Sequence, residues 1–234
     1  MLAPKNSTAN IRLKKAILIA IASLASFVVL ITVLAFIFAE TQQPRFVNRD
    51  LLMQNALLIP PLLEPEVVGE EKVFVLSAEH GETVFLEGKP TNTAGYNATY
   101  LGPTLRAHKG DHVRIVLTNN LSQPITTHWH GMHLPAMMDG GPHQEIAPGG
   151  IWEPQWTIEN EAATLWYHPH ILERTGEQVY SGLAGLFIIG DENSDSLSLP
   201  KEYGVDDIPL IVQDREFRED GEFVYEPQRR DELG

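Results

Sequence analysis

The 234 residues carry 17 basic and 31 acidic side chains, a formal net charge of −14, with 43% hydrophobic residues and no cysteine. So acidic a chain repels phosphate backbones, which argues against nucleic acid as a partner. The missing thiols exclude disulfides, cysteine-based zinc sites and thiolate-ligated copper within this chain.

The charge is unevenly spread. Residues 1–39 hold four cations, Lys5, Arg12, Lys14 and Lys15, and no acid, so 13 basic side chains face 31 acidic ones in the remainder. From Ala16 to Phe38 the chain runs without a charge. As a helix that stretch is about 35 Å long, enough to cross a hydrocarbon core of about 30 Å. A basic N-terminus (1–15) followed by a transmembrane signal-anchor (16–38) is therefore expected. The rival is a cleaved signal peptide, whose apolar region is usually shorter and whose cleavage after Ala39 would put Ile37 where a small residue is preferred. The cations before the span place the N-terminus in the cytoplasm and everything after about residue 40 outside it, in a periplasm or at a cell surface.

Residues 39–71 read as a linker, broken by Pro44, Pro60, Pro61 and Pro65, with 58–63 extended along a domain surface. From residue 72 the rhythm changes to short strands. Lys72 to Ala78 and Thr83 to Glu87 are predicted on either side of a turn at His80-Gly81. Thr104 to Ala107 follows, then Val113 to Thr118, in which Val113, Ile115 and Leu117 share one face. Trp152 to Ile158, Ala163 to His168 and Leu183 to Ile189 complete the set, with one helical turn over Thr175 to Tyr180. Many short strands and little helix predict an all-β sandwich or Greek-key barrel over 72–192.

Two His-x-His pairs stand out in this frame, His128-Trp129-His130 and His168-Pro169-His170. In a strand, residues i and i+2 share a face, which sets the two rings about 6–7 Å apart. Two such pairs on neighbouring strands would gather four imidazoles around a small metal cluster. Imidazole suits copper, zinc, iron and nickel, so the residue types alone do not choose the metal.

The surrounding motifs narrow the field. Gly95-Tyr96-Asn97, Leu101-Gly102-Pro103, His128-Trp129-His130-Gly131, Asp139-Gly140-Gly141-Pro142, Pro148-Gly149-Gly150, Trp166-Tyr167-His168-Pro169-His170 and Gly182-Leu183-Ala184-Gly185 occur in this order. Together they resemble the first cupredoxin domain of the multicopper oxidases, in the bacterial branch of cuprous oxidases and laccase-like enzymes. The tail 207–214 resembles the first strand of that family's second domain, which makes 205–234 the start of a further, truncated cupredoxin domain. The resemblance implies a cupredoxin-like Greek-key sandwich. It also implies a type 2 copper ligand at His128 and type 3 copper ligands at His130, His168 and His170. Asp139 matches an acidic residue that helps deliver protons while dioxygen is reduced to water.

One departure is informative. A complete family member takes four further cluster histidines and its cysteine-ligated type 1 copper from a C-terminal domain. This chain has no cysteine, so the resemblance implies half a cluster that needs a missing domain or split partner chain, and no turnover alone. The reductant, whether Cu(I), a phenol or another metal ion, stays open. Two other readings remain: a non-catalytic, membrane-tethered scaffold resembling the copper-free cell-division relative, and an unrelated histidine-metal enzyme. Trp129 and Trp166 are expected to pack beside the rings. His133, His143, Met132, Met137 and Met138 read as a plain loop ahead of a soft-metal site, and His80, His108 and His112 as solvated.

Overall fold

The computed structural model describes residues 15, 17–18, 27–33 and 56–226. The chain divides into two units, 1–57 and 58–234. In the first, residues 27–33 are helical, and Thr32 Oγ1 donates to the carbonyls of Val28 and Val29 within that turn. Most of the expected span over 16–38, and most of the linker before residue 56, lie outside the described residues. Among the described residues no helix is long and apolar enough to cross a membrane.

The second unit is mostly β. One sheet has the order β1-β5-β11-β10-β7, built from Leu62–Leu63 (β1), Thr104–His108 (β5), Gly185–Gly190 (β11), Ala163–His168 (β10) and His128–His130 (β7). The other runs β2-β3-β6-β8, from Glu66–Val68 (β2), Glu71–Leu86 (β3), His112–Asn119 (β6) and Ile151–Trp152 (β8), with Lys89–Tyr96 (β4) on β3 and Gln155–Thr157 (β9) on β6. The parallel pairs β3/β6 and β5/β11 show that the chain crosses over between strands instead of meandering. Alternation along β6 buries Val113, Ile115 and Leu117, as its sequence pattern predicts. These face the inner side of the other sheet across an aromatic seam in which Phe74 meets Phe187 edge-on at 6.1 Å and Trp129 meets Trp156 at 5.5 Å.

Several elements differ from expectation. The predicted turn at His80-Gly81 is absent, and β3 runs through it for 16 residues. Gly81 serves proximity instead, since a Cβ there would sit 2.3 Å from the Thr99 carbonyl oxygen. The turn falls at Gly88, whose φ is +71°. The predicted strand over 152–158 is split in two around Pro154, which has no N–H to donate to a ladder. Leu62 and Leu63 form an edge strand parallel to β5, more ordered than a surface-hugging linker.

Two short helices complete the unit, Thr175–Ser181 (α1) and Glu192–Ser196 (α2). Asp191 caps α2. Its Oδ1 accepts the Ser194 N–H at 2.7 Å, Ser194 Oγ accepts the Asp191 N–H at 2.9 Å, and Asp191 Oδ2 accepts the Ala162 N–H just before β10. The backbone donors of Ser194 and Ala162 hold this carboxyl at about 2. A carboxyl depressed on folding stabilises the fold above its unfolded range and ceases to do so as pH falls through its folded value. Asp191→Ala should therefore lower the melting temperature near neutral pH, and the gap from wild type should close as pH falls from about 4 towards 2; thermal scans across that range check it.

Beyond α2 the chain makes a tight turn over 202–207 and then runs extended. Residues 207–214 pair with no strand among the described residues, and Leu210 and Val212 are exposed. The segment 216–224 then folds back on the β3–β4 hairpin. Lys89 Nζ donates to Glu219 O, Thr91 Oγ1 to Gly221 O, and the Asn92 side-chain amide to Glu222. Phe85, Phe217 and Phe223 cluster there, and the Arg215 guanidinium lies 4.4 Å above the Tyr180 ring.

Candidate metal centre

β7 and β10 are antiparallel neighbours, with His128 opposite His168 and His130 opposite Trp166. Odd and even residues of each strand face opposite ways. Trp129 and Tyr167 therefore turn into the core, where both are fully buried, while the histidines turn outward. Tyr167 fixes the depth of β10: its hydroxyl donates to Pro103 O at 2.7 Å, and its ring is flanked by Gly102 and Gly185, where a Cβ would come within 2.5 and 2.2 Å of its atoms.

The four imidazoles converge. Ring centroids lie 5.5 Å apart for His128–His130, 5.5 Å for His128–His168, 5.2 Å for His128–His170, 5.3 Å for His130–His168 and 6.1 Å for His168–His170. Ligand atoms of His128, His130 and His168 lie within 4.8 Å of one another, and His170 stands outside that tighter group. The two pairs are not equivalent, because β10 ends at His168 and Pro169 carries the chain out of the sheet. His170 is held from elsewhere: its N–H donates to Oγ1 of the buried Thr126 at 2.7 Å. Nothing in the sequence distinguishes Thr126 from an ordinary buried threonine.

Backbone carbonyls orient two of the rings. His128 Nδ1 lies 2.9 Å from Asp139 O, and His168 Nδ1 lies 2.7 Å from Pro169 O. A carbonyl only accepts, so each Nδ1 carries a proton, and in the neutral ring Nε2 is the nitrogen left with a lone pair. His168 Nε2, 3.1 Å from His130 Nδ1, then accepts a hydrogen bond from that ring. Burial, reinforced by the three neighbouring histidines, pushes His168 down to about 4, so it is neutral and able to ligate at physiological pH. Ligating histidines are commonly fixed in this way, one nitrogen tied to a carbonyl and the other offered to the ion. The donor set and its orientation thus fit a metal that takes imidazole.

Trp166 lies flat on His168, centroids 3.9 Å apart and planes at 27°, and also beside His130 at 5.2 Å. It is the shielding tryptophan expected from the sequence. Trp129 is not: strand alternation points it into the core. Asp139 sits behind His128, on the Nδ1 side, with Oδ1 at 3.2 Å. Gly140 makes that approach possible. Its φ is +71°, and a Cβ would fall 1.7 Å from Thr127 O. Gly140→Ala meets backbone that no rotamer change can move, so it should cost more than the about 1–2 kcal/mol of the left-handed conformation alone. It should also detach the Asp139 carbonyl from His128; denaturant titration, with the His128 ring followed by NMR, checks both.

The other sequence candidates do not join the cluster. Met132 is packed in the core while Met137 is 71% exposed, and the 132–143 stretch is a loop apart from one 3-10 turn, Ala136–Met138. His80 and His112 are exposed. His108 is half-buried and pairs with Asp195 at 2.9 Å, so it is less solvated than expected.

A mostly β, two-sheet domain with few helices and an imidazole cluster on adjacent strands is a cupredoxin-like domain. The multicopper oxidase family profile matches residues 77–194, and the chain belongs to that family, which implies copper. Multicopper oxidase mco of Staphylococcus aureus is 44% identical over 165 residues, 70% of this chain and 36% of that protein. Cell division protein FtsP of Edwardsiella tarda is 41% identical over 174 residues, 74% of this chain and 36% of its own length. Among solved structures, a laccase from Pediococcus acidilactici superposes with a TM-score of 0.70 at 38% identity, covering 73% of this chain and 37% of that one. The laccase-like multicopper oxidase CueO of Ochrobactrum gives 0.69 at 41%, covering 75% and 39%. The chain thus spans just over a third of the relatives it matches.

Proposed function

We propose that this chain supplies half of a trinuclear copper cluster to a multicopper oxidase that reduces dioxygen to water. The observation that carries the reading is the convergence of His128, His130 and His168 within 4.8 Å, with His170 beside them. His128 would ligate a type 2 copper; His130, His168 and His170 would ligate the type 3 pair. Copper held by these histidines would relay electrons from the oxidised substrate to dioxygen. The chain's own residues orient the rings, through Asp139 O and Pro169 O, and keep water off one face, through Trp166. Asp139, with its carboxyl partly exposed and 3.2 Å from His128, would pass protons inward from solvent.

The remaining cluster ligands and the type 1 site come from a further cupredoxin domain or a partner chain, because a blue-copper site needs a thiolate and these residues contain none. The segment 207–214, which joins no strand among the described residues, would lead into such a domain. Four N-terminal cations ahead of the uncharged stretch 16–38 support a membrane anchor with the domain outside the cytoplasm. The reducing substrate would be Cu(I), a phenol or a similar donor.

Similarity to FtsP supports a second reading, a non-catalytic scaffold. Copper separates the two. The purified 234-residue chain, dialysed against Cu(II), should retain metal but show neither intense blue colour nor oxygen consumption with a phenol or Cu(I). A chain that holds no copper favours the scaffold, and blue colour or turnover overturns the half-site.

A further inference from the structure

We propose that Asn160 is a positioning residue for the cluster, setting the orientation of His130 through the backbone that follows it. The role presupposes the copper reading above. His130 stands at a corner. The Met132 N–H donates to Trp129 O at 3.0 Å, which closes a turn with His130 and Gly131 at its centre, and Gly131 has φ +87°, the value a type II turn requires at that position. A single hydrogen bond closes this turn.

Asn160 supplies the rest. Its Oδ1 accepts the His133 N–H at 2.8 Å, and its Nδ2 donates to Gly131 O at 3.0 Å. One planar amide therefore clamps the peptide groups on both sides of Met132. The side chain is 8% exposed, so water competes poorly for either bond. Asn160 also lies three residues before β10, the strand that delivers His168. It ties the chain leaving the first histidine pair to the chain approaching the second.

His130 needs such a hold more than its neighbours do. His128 and His168 are each tied by a ring nitrogen to a backbone carbonyl, and the His170 N–H is tied to Thr126. The polar contact of the His130 ring is to His168 Nε2, the atom that would have to be released for a metal. What then fixes His130 is its ring contact with Trp166 and the backbone turn that Asn160 braces. The side-chain hydrogen bonds of Asn160 go to the backbone of Gly131 and His133 and to none of the four rings. The clamp needs a donor and an acceptor on one short side chain. Aspartate keeps the acceptor for His133 but sets an oxygen against Gly131 O, and alanine removes both.

The test uses the 234-residue chain as wild type, Asn160→Ala, Asn160→Asp and, as a stability control on the β3–β4 hairpin, Thr91→Ala, which loses the buried bond to Gly221 O. Cu(II) affinity is measured by competition with a chromogenic chelator, the Cu(II) signal by EPR, and the metal-free His130 ring by NMR. Both Asn160 variants should bind copper about tenfold or more weakly, as is common when a residue behind a ligand is lost. They should also show altered Cu(II) hyperfine coupling and a shifted His130 ring signal. Thr91→Ala should melt earlier yet keep wild-type affinity and spectra. Should Asn160→Ala fail to fold, Asn160→Asp is decisive alone. Wild-type affinity and spectra in the Asn160 variants, or an equal loss of affinity in Thr91→Ala, would overturn the positioning role while leaving the copper reading intact. A wild-type chain that binds no copper would overturn both.

Discussion

Trp129→Ala is expected to destabilise the domain by about 3–5 kcal/mol, near the upper end for a single core truncation. The ring is 1% exposed and touches four other aromatic rings, Trp152, Trp156, Tyr167 and Phe187, at centroid distances of 6.5, 5.5, 5.9 and 6.4 Å. These come from both sheets, so the truncation opens a void where the sheets meet, and rigid rings around it cannot collapse inward as aliphatic side chains can. The indole N–H has no hydrogen-bond partner among the described residues, so packing is what holds the ring. Trp129→Phe keeps much of the volume and removes that unpaired donor, and it should lose less than half as much. Guanidinium titrations of the three proteins measure this. The result reaches the metal centre as well, because Trp129 lies between His128 and His130 on a three-residue strand. If the rings are held in place by the core beneath them, copper affinity should fall in Trp129→Ala even under conditions where the protein remains folded.

How far the sequence reveals this arrangement depends on the range of the interaction concerned. The period-2 pattern is local, so β6 and β10 could be read directly, and β10 ends on the residue expected. His128, His130 and His168 lie on paired strands, β7 and β10 being antiparallel neighbours, while His170 follows the end of β10. Long-range causes were hidden. Gly81 reads as a turn residue, but the Thr99 backbone, 18 residues on, is what requires it. β4 reads as Lys-Pro-Thr-Asn-Thr-Ala-Gly-Tyr, without apolar alternation, because its buried positions include Thr91 and Thr93, satisfied by the distant carbonyl of Gly221 and by that of Thr99 just past the strand. The same holds at the metal centre. Histidine is conspicuous by type, whereas Asn160 and Thr126 matter only through where their amide and hydroxyl end up. The position of Asp139 behind His128 depends on a backbone contact at Gly140 that no spacing rule records.

Paired alanine substitutions at His130 and His168 should separate ligation from packing. His130 is exposed at the end of its strand, so His130→Ala should change stability by no more than about 0.5 kcal/mol, as surface changes usually do. His168 is 5% exposed, stacked on Trp166 at 3.9 Å and bonded to Pro169 O, so His168→Ala removes a packed ring and should destabilise the fold clearly. If both rings were only structural, copper retention would follow stability, and His130→Ala would resemble wild type. If both are ligands, copper affinity falls sharply in each. The loss should exceed the about 10–100-fold typical of residues that merely support a ligand. The decisive variant is therefore His130→Ala, where little stability is at stake. Its melting curve should overlay that of wild type while a chelator competition shows most of the affinity gone. Unchanged affinity in a fully folded His130→Ala protein would remove His130 from the ligand set and leave the half-cluster without one of its type 3 positions.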